Sequence, residues 1–138
     1  MDEFIWQKAY GIDDAIIDQE HRRLFELANQ VLRLPPGGQD VQAVRGAVVA
    51  LYDYVKTHFA HEEAYMREIN YPGLTIHRVL HETIIHEMNM MMRECTQLDS
   101  LVYRLKRLMK KWVIEHIQQA DRQIGDFLRQ QSREGGNP

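Results

Sequence analysis

Cysteine is almost missing from this sequence. The single thiol, Cys95, can form no internal disulfide, so nothing points to an oxidising compartment. Long apolar runs are missing too, and no stretch suffices to cross a bilayer. The start carries Asp2 and Glu3 where a signal peptide would be basic, and no long apolar run follows. A cytoplasmic protein with no membrane partner is the expectation. Cationic charge is not in excess: 17 Lys and Arg against 20 Asp and Glu leave a net charge of −3, which disfavours nucleic acid as a partner. Strand-like alternation is absent. Histidine, by contrast, is plentiful, with seven residues in 138, and they are not scattered.

Helical spacing governs almost the whole chain. Four long segments are expected, from about Asp13 to Leu34, Asp40 to Asn70, Leu74 to Cys95, and Ser100 to Gln131. Pro35-Pro36-Gly37-Gly38 and Tyr71-Pro72-Gly73 mark the first two breaks, and Thr96, Asp99 and Ser100 supply capping residues at the third. Residues 1–12 form an N-terminal arm bearing Phe4, Trp6 and Tyr10, and residues 132–138 a disordered tail. The expected unit is a single domain, 1–131, with the bundle over 13–131. The fold class is all-α, an antiparallel up-down-up-down four-helix bundle, because each segment has an apolar seam stepping by threes and fours and the connections are short.

Polar groups occupy that seam. His21, His58, Glu62, His77, His81 and His116 stand where aliphatic residues are expected. One such group buried without a partner costs a few kcal/mol, so six in one small core must satisfy one another or bind something. Counted from the end shared by the start of the first helix and the finish of the second, their depths overlap within about two turns. His58/Glu62 and His77/His81 are four apart, hence stacked on one face. Imidazoles with carboxylates and no thiolate suit iron, zinc or manganese, and so many ligands exceed the needs of one tetrahedral zinc. Two ions sharing carboxylates fit better. Asp121 follows His116 by five residues, about 140° round an ideal helix, where Ala120 would continue the seam. It reaches the site only if the helix distorts, a π-bulge being one route, or if its carboxylate enters sideways.

Read in order, the motifs are His21; His58-Phe59-Ala60-His61-Glu62; His77-Arg78-Val79-Leu80-His81; and His116-Ile117-Gln118-Gln119-Ala120-Asp121. With Asp18-Gln19-Glu20-His21, Glu62-Glu63, Met66, Tyr71-Pro72 and Trp112, this resembles the hemerythrin family, specifically its bacterial members, from Trp6 to about Leu128. The resemblance implies two non-haem iron ions with a bridging oxo or hydroxo group. It implies that His77, His81 and His116 bind one iron, that His21 and His58 bind the other with one position open, and that Glu62 and Asp121 bridge both. Dioxygen would bind reversibly at the open iron, in an apolar pocket of Leu24, Phe59, Trp112 and Val113, the last standing where leucine is common.

Plainer roles fit the neighbouring residues. His61 and His86 read as surface or supporting side chains, Glu63 as a solvated partner, Met88 to Met92 as core and surface, and Cys95 as a small buried hydrophobe. Ferritin-like di-iron oxidases need Glu-x-x-His, which is missing, and His81-Glu82-Thr83-Ile84-Ile85-His86 is one residue too long for a zinc-protease motif. A binding protein rather than an enzyme is expected. The alternatives that use the same centre are an oxygen- or redox-sensing domain joined to a signalling output or redox partner in a longer chain, and a di-iron enzyme consuming peroxide or nitric oxide.

Overall fold

The computed structural model describes residues 4–12, 14–34, 40–95 and 97–135, the side chain of Trp112 excepted. Helix α1 (Ala15–Leu32) begins where Asp14 accepts the Ile17 amide at 2.9 Å, satisfying an N–H that the first turn leaves open. Helix α2 (Val41–Glu68) is capped in the same way, Asp40 accepting from Gln42 and Ala43, both at 3.1 Å. It stops before Asn70, whose φ of 55° lies in the left-handed region that asparagine tolerates better than most residues. Helix α3 (Leu74–Glu94) follows and ends at an extended Cys95. The fourth helix is composite. It opens as α4 (Leu98–Leu108), winds as π-helix over Met109–Ile114 and again over Ile117–Asp121, and returns to α geometry as α5 (Arg122–Gly135).

Packing closes the bundle: α1 lies against α2 and the fourth helix, and α3 lies against α2 and the fourth helix. The architecture is the expected all-α bundle. The stepping by threes and fours predicts an α1 seam of Ile17, His21, Leu24, Ala28 and Val31, and all are buried. In α2 it predicts a seam running from Val41 through His58 and Glu62 to Tyr65 and Ile69, and burial departs from it toward both ends. Val41 is exposed at the first helical position, and Met66 rather than Tyr65 carries the buried face beyond Glu62. The second difference follows from helix geometry, since a strict seven-residue seam drifts about 20° per heptad on a straight helix.

Three local expectations need correction. Gln97 heads α4 with no side-chain cap, while Asp99 only meets the amide of its neighbour Ser100 at 2.9 Å; Thr96 lies outside the described residues, as do Asp13 and the Pro35–Gly38 break. The tail stays helical to Gly135, because no helix breaker precedes that glycine and Gln130 reaches Glu134 one turn on at 3.3 Å; residues 136–138 lie outside the described residues. Cys95 is half-buried, with its Sγ 3.7 Å from Arg104 Nη1, because it caps α3 at the bundle end and packs only against the edge of the core.

The arm is fastened by polar contacts as well as aromatic ones. Phe4 and Asn29 exchange two hydrogen bonds of 2.7 and 2.9 Å, and Asp18 accepts the Ile12 amide at 2.8 Å. Trp6 packs edge-on against Phe25 and Tyr10. Ile12 then enters a small apolar cluster with Ile17, Met66 and Ile124, while the main core, with Leu24, Val55, Ile84 and Val113 in it, fills the bundle on the other side. Between these two apolar layers lie the polar seam residues.

Candidate metal centre

Seven polar side chains converge in that layer. They come from all four helices: His21 on α1, His58 and Glu62 on α2, His77 and His81 on α3, and His116 and Asp121 on the fourth helix. All are buried, His116 being the most exposed at 9%. Asp121 joins because of the π winding. In ideal α geometry it would point about 140° away from His116, whereas the π segment Ile117–Asp121 brings its Oδ1 within 3.0 Å of His116 Nε2. The helix therefore distorts where the spacing required it to.

Each of the five histidines in the layer turns Nε2 inward. His77 Nε2 lies 2.9 Å from Glu62 Oε1 and 2.8 Å from Asp121 Oδ1, and His81 Nε2 lies 3.0 Å from Glu62 Oε1. On the other side His21 Nε2 is 2.9 Å from Glu62 Oε2 and 3.1 Å from Asp121 Oδ2, with His58 Nε2 3.3 Å from Glu62 Oε2. Two overlapping groups result, each with ligand atoms within 4.8 Å of one another. One is Glu62, His77, His81, His116 and Asp121; the other is His21, His58, Glu62 and Asp121. The carboxylates belong to both.

The outward nitrogens are held by carboxylates that sequence reading undervalued. His58 Nδ1 donates to Glu20 at 2.9 Å, and His81 Nδ1 to Glu63 at 3.0 Å. Glu63 is thus more than a solvated partner, and Glu20, which enters the sequence pattern only as part of the Asp18–His21 motif, has a role of its own. Each adjoins a cluster residue in the chain, so it projects about 100° round the helix toward the flanking helix. Adjacency to a seam histidine or glutamate was the available signal. His61 is 53% exposed and pairs with Glu20 at 2.7 Å, outside both groups; His86 is exposed and also outside them.

Protons do not satisfy this layer well. With Nδ1 donating outward, a neutral imidazole presents an inward lone pair, and lone pairs facing carboxylate oxygens repel. Asp121 illustrates the mismatch. Three Nε2 atoms lie within ion-pair distance of its carboxylate, yet neither of its oxygens has a partner in hydrogen-bond geometry, nor has His58 Nε2. Burial by itself disfavours the charged form of His21, but Asp121 and Glu62 overcome it and raise its pKa to about 10. His77 is likewise raised to about 9 against its burial by the same two carboxylates. Burial pushes Glu62 up, yet hydrogen bonds from four histidines hold it well below the carboxylate range; Asp121 is lowered too, His116 and His21 outweighing burial and the repulsion of Glu62. The layer demands positive charge at its centre, and non-directional cations suit buried acceptors left without hydrogen-bond geometry. The donor set therefore fits metal.

On the core side, Leu24, Phe59 and Val113 are buried members of the main apolar core, and Phe59 lies flat on the His81 ring, with centroids 3.8 Å apart and planes 4° apart. The side chain of Trp112 lies outside the described residues.

The sequence profile of the hemerythrin HHE cation binding domain matches residues 13–128. The chain is 29% identical over 125 residues to the bacteriohemerythrin of Stenotrophomonas maltophilia, covering 91% of this chain and 81% of that protein. It is 30% identical over 129 residues to the bacteriohemerythrin of Clostridium acetobutylicum, covering 89% of this chain and 99% of that one. Similarity extends to the bacteriohemerythrin of Campylobacter jejuni at 24% over 119 residues, or 86% and 90% of the two chains.

Proposed function

The chain belongs to the hemerythrin family, and from that premise we propose that it binds dioxygen reversibly at a pair of non-haem irons. The observation that carries the reading is the sharing of Glu62 and Asp121 between two ligand groups. His77, His81 and His116 would hold one ion with these carboxylates, and His21 and His58 the other, leaving it one protein ligand short and open to a small molecule. Two irons held there, with a solvent-derived oxo or hydroxo group, would supply the electrons that reversible dioxygen uptake needs.

The surrounding residues have defined tasks. Glu20 and Glu63 fix the rings of His58 and His81 and keep Nε2 free to ligate. Leu24, Phe59 and Val113 keep water from the core side. Trp6, with its ring centroid 6.2 Å from that of His21, covers the first helix's ligand. A buried layer with a single open position suits binding and release of a small molecule rather than turnover of a substrate.

Metal analysis with an optical spectrum tests the reading. Reduced protein exposed to air should carry two irons per chain and gain a visible ligand-to-iron charge-transfer band that disappears on deoxygenation. One zinc per chain and no visible band would overturn it.

A further inference from the structure

Two cavities reach the buried cluster from the surface, and their chemistry differs. The one between α3 and the fourth helix, about 220 Å³, touches His116 and carries Lys111 and Glu115, whose charges oppose. The other, about 420 Å³, opens between α2 and α3 and touches His81 and Phe59. Glu63, Glu82 and His86 line it, with Lys56 as its one cation. Glu82 and His86 are exposed and four residues apart, so their side chains rise on one face of α3 directly above the mouth. Glu63 stands across from them on α2, its Oε2 on His81 Nδ1 at 3.0 Å and its Oε1 on Arg78 at 3.2 Å.

We propose that the α2–α3 cavity is the passage by which divalent cations reach the buried cluster, with Glu82 and His86 as a transient surface station and His81 as the first inner ligand. The inference rests on the metal-centre reading above and adds a route to it. Oxygen and nitrogen donors follow one another along the route: a carboxylate and an imidazole at the mouth, the Glu63 carboxylate halfway, then His81, whose Nε2 already lies 3.0 Å from Glu62 Oε1. A cation moving inward exchanges one such donor for the next and is never stripped of ligands, which matters because the penalty for burying a bare ion is prohibitive. At the inner end the Phe59 ring lies stacked on His81, and while Glu62 and Glu63 hold the imidazole, the phenyl ring has no hydrogen bond to break when it shifts aside. The cavity that touches His116 has one carboxylate, Glu115, with Lys111 beside it, against the two carboxylates and the imidazole that precede His81 on the α2–α3 route.

Exchange kinetics on the metal-loaded protein test this. Loaded chain is mixed with excess of a second divalent cation, Co²⁺ against bound Fe²⁺ under anaerobic conditions, and incoming cobalt is followed by its visible bands. A Glu82→Gln/His86→Gln protein should exchange about tenfold more slowly, the low end of the gain that charged clefts give association rates. Its final content should stay at two metals per chain, since neither residue belongs to the ligand groups. Glu115→Gln, on the other cavity, should exchange at the unaltered rate. Equal rates in all three proteins, or equal slowing by Glu115→Gln, would overturn the route while leaving the centre intact. Failure of the unaltered chain to hold two metals would overturn the centre, and the route with it.

Discussion

At the scale of single residues, seven buried polar side chains lie within ion-pair reach of one another, and this makes their removal unequal. Glu62→Ala strips four imidazoles of their shared acceptor. It should abolish metal binding and lower stability by about 3–5 kcal/mol, the usual penalty for a buried charge left unpaired. His77→Ala should also lose metal, whereas His61→Ala should retain two per chain, as metal analysis and denaturant unfolding would show. The pKa shifts set a pH window for the metal-free chain. His21 and His77 titrate near 10 and 9 when folded, against an ordinary 6.5. Their imidazolium forms therefore stabilise the fold in full below about pH 6.5, and that contribution drains away as pH rises through 9 and 10. Glu62 and Asp121, lowered from 4.5 and 3.8, contribute above those values and lose their effect in acid. Melting temperatures of metal-free protein should peak between about pH 5 and 6.5 and fall steadily toward pH 10. The loaded protein should not fall in that alkaline range, because metal rather than protons neutralises its carboxylates, and should instead lose metal in acid.

At the scale of elements, the fourth helix holds the decisive irregularity. Three of the helices present ligands on plain helical spacing, His58/Glu62 and His77/His81 at four residues and His21 alone, so their share of the site could be read from periodicity. Asp121 could not, because five-residue spacing points away in an α-helix and only the π segment Ile117–Asp121 turns it back. A π-bulge amounts to one extra residue in an α-helix, which gives a sharp prediction. Deleting exposed Gln119 converts the His116–Asp121 interval to four residues. That variant should keep two metals per chain and lose π character in its amide hydrogen-bond pattern by NMR. Inserting one alanine at the same place should turn Asp121 about 100° out of the site and halve or abolish the metal content.

At the scale of the whole molecule, the layer is sealed at one end by the arm and at the other by the main core. The arm fits because Gly125 has no side chain: a Cβ there would meet the Gly11 carbonyl oxygen at 2.9 Å and the Ile12 Cα at 3.1 Å. Gly125→Ala should push the arm outward and lower stability by about 1–3 kcal/mol, as overpacking usually does, while metal content stays at two per chain. Among the described residues no helix is long and apolar enough to cross a membrane. Local pattern sufficed for the helices, their breaks at Asn70 and Pro72, the buried faces, and six of the seven converging residues, because helix periodicity and burial cost act within a few turns of chain. Which nitrogen of each histidine faces inward, the service of Glu20 and Glu63 to His58 and His81, the π winding that delivers Asp121, and the passage beside His81 were decided only when four helices packed. Those features depend on atoms brought together from different helices, such as Glu20 and His58, 38 residues apart in the chain, and a distance across a bundle leaves no mark on the spacing within any one strand of the sequence.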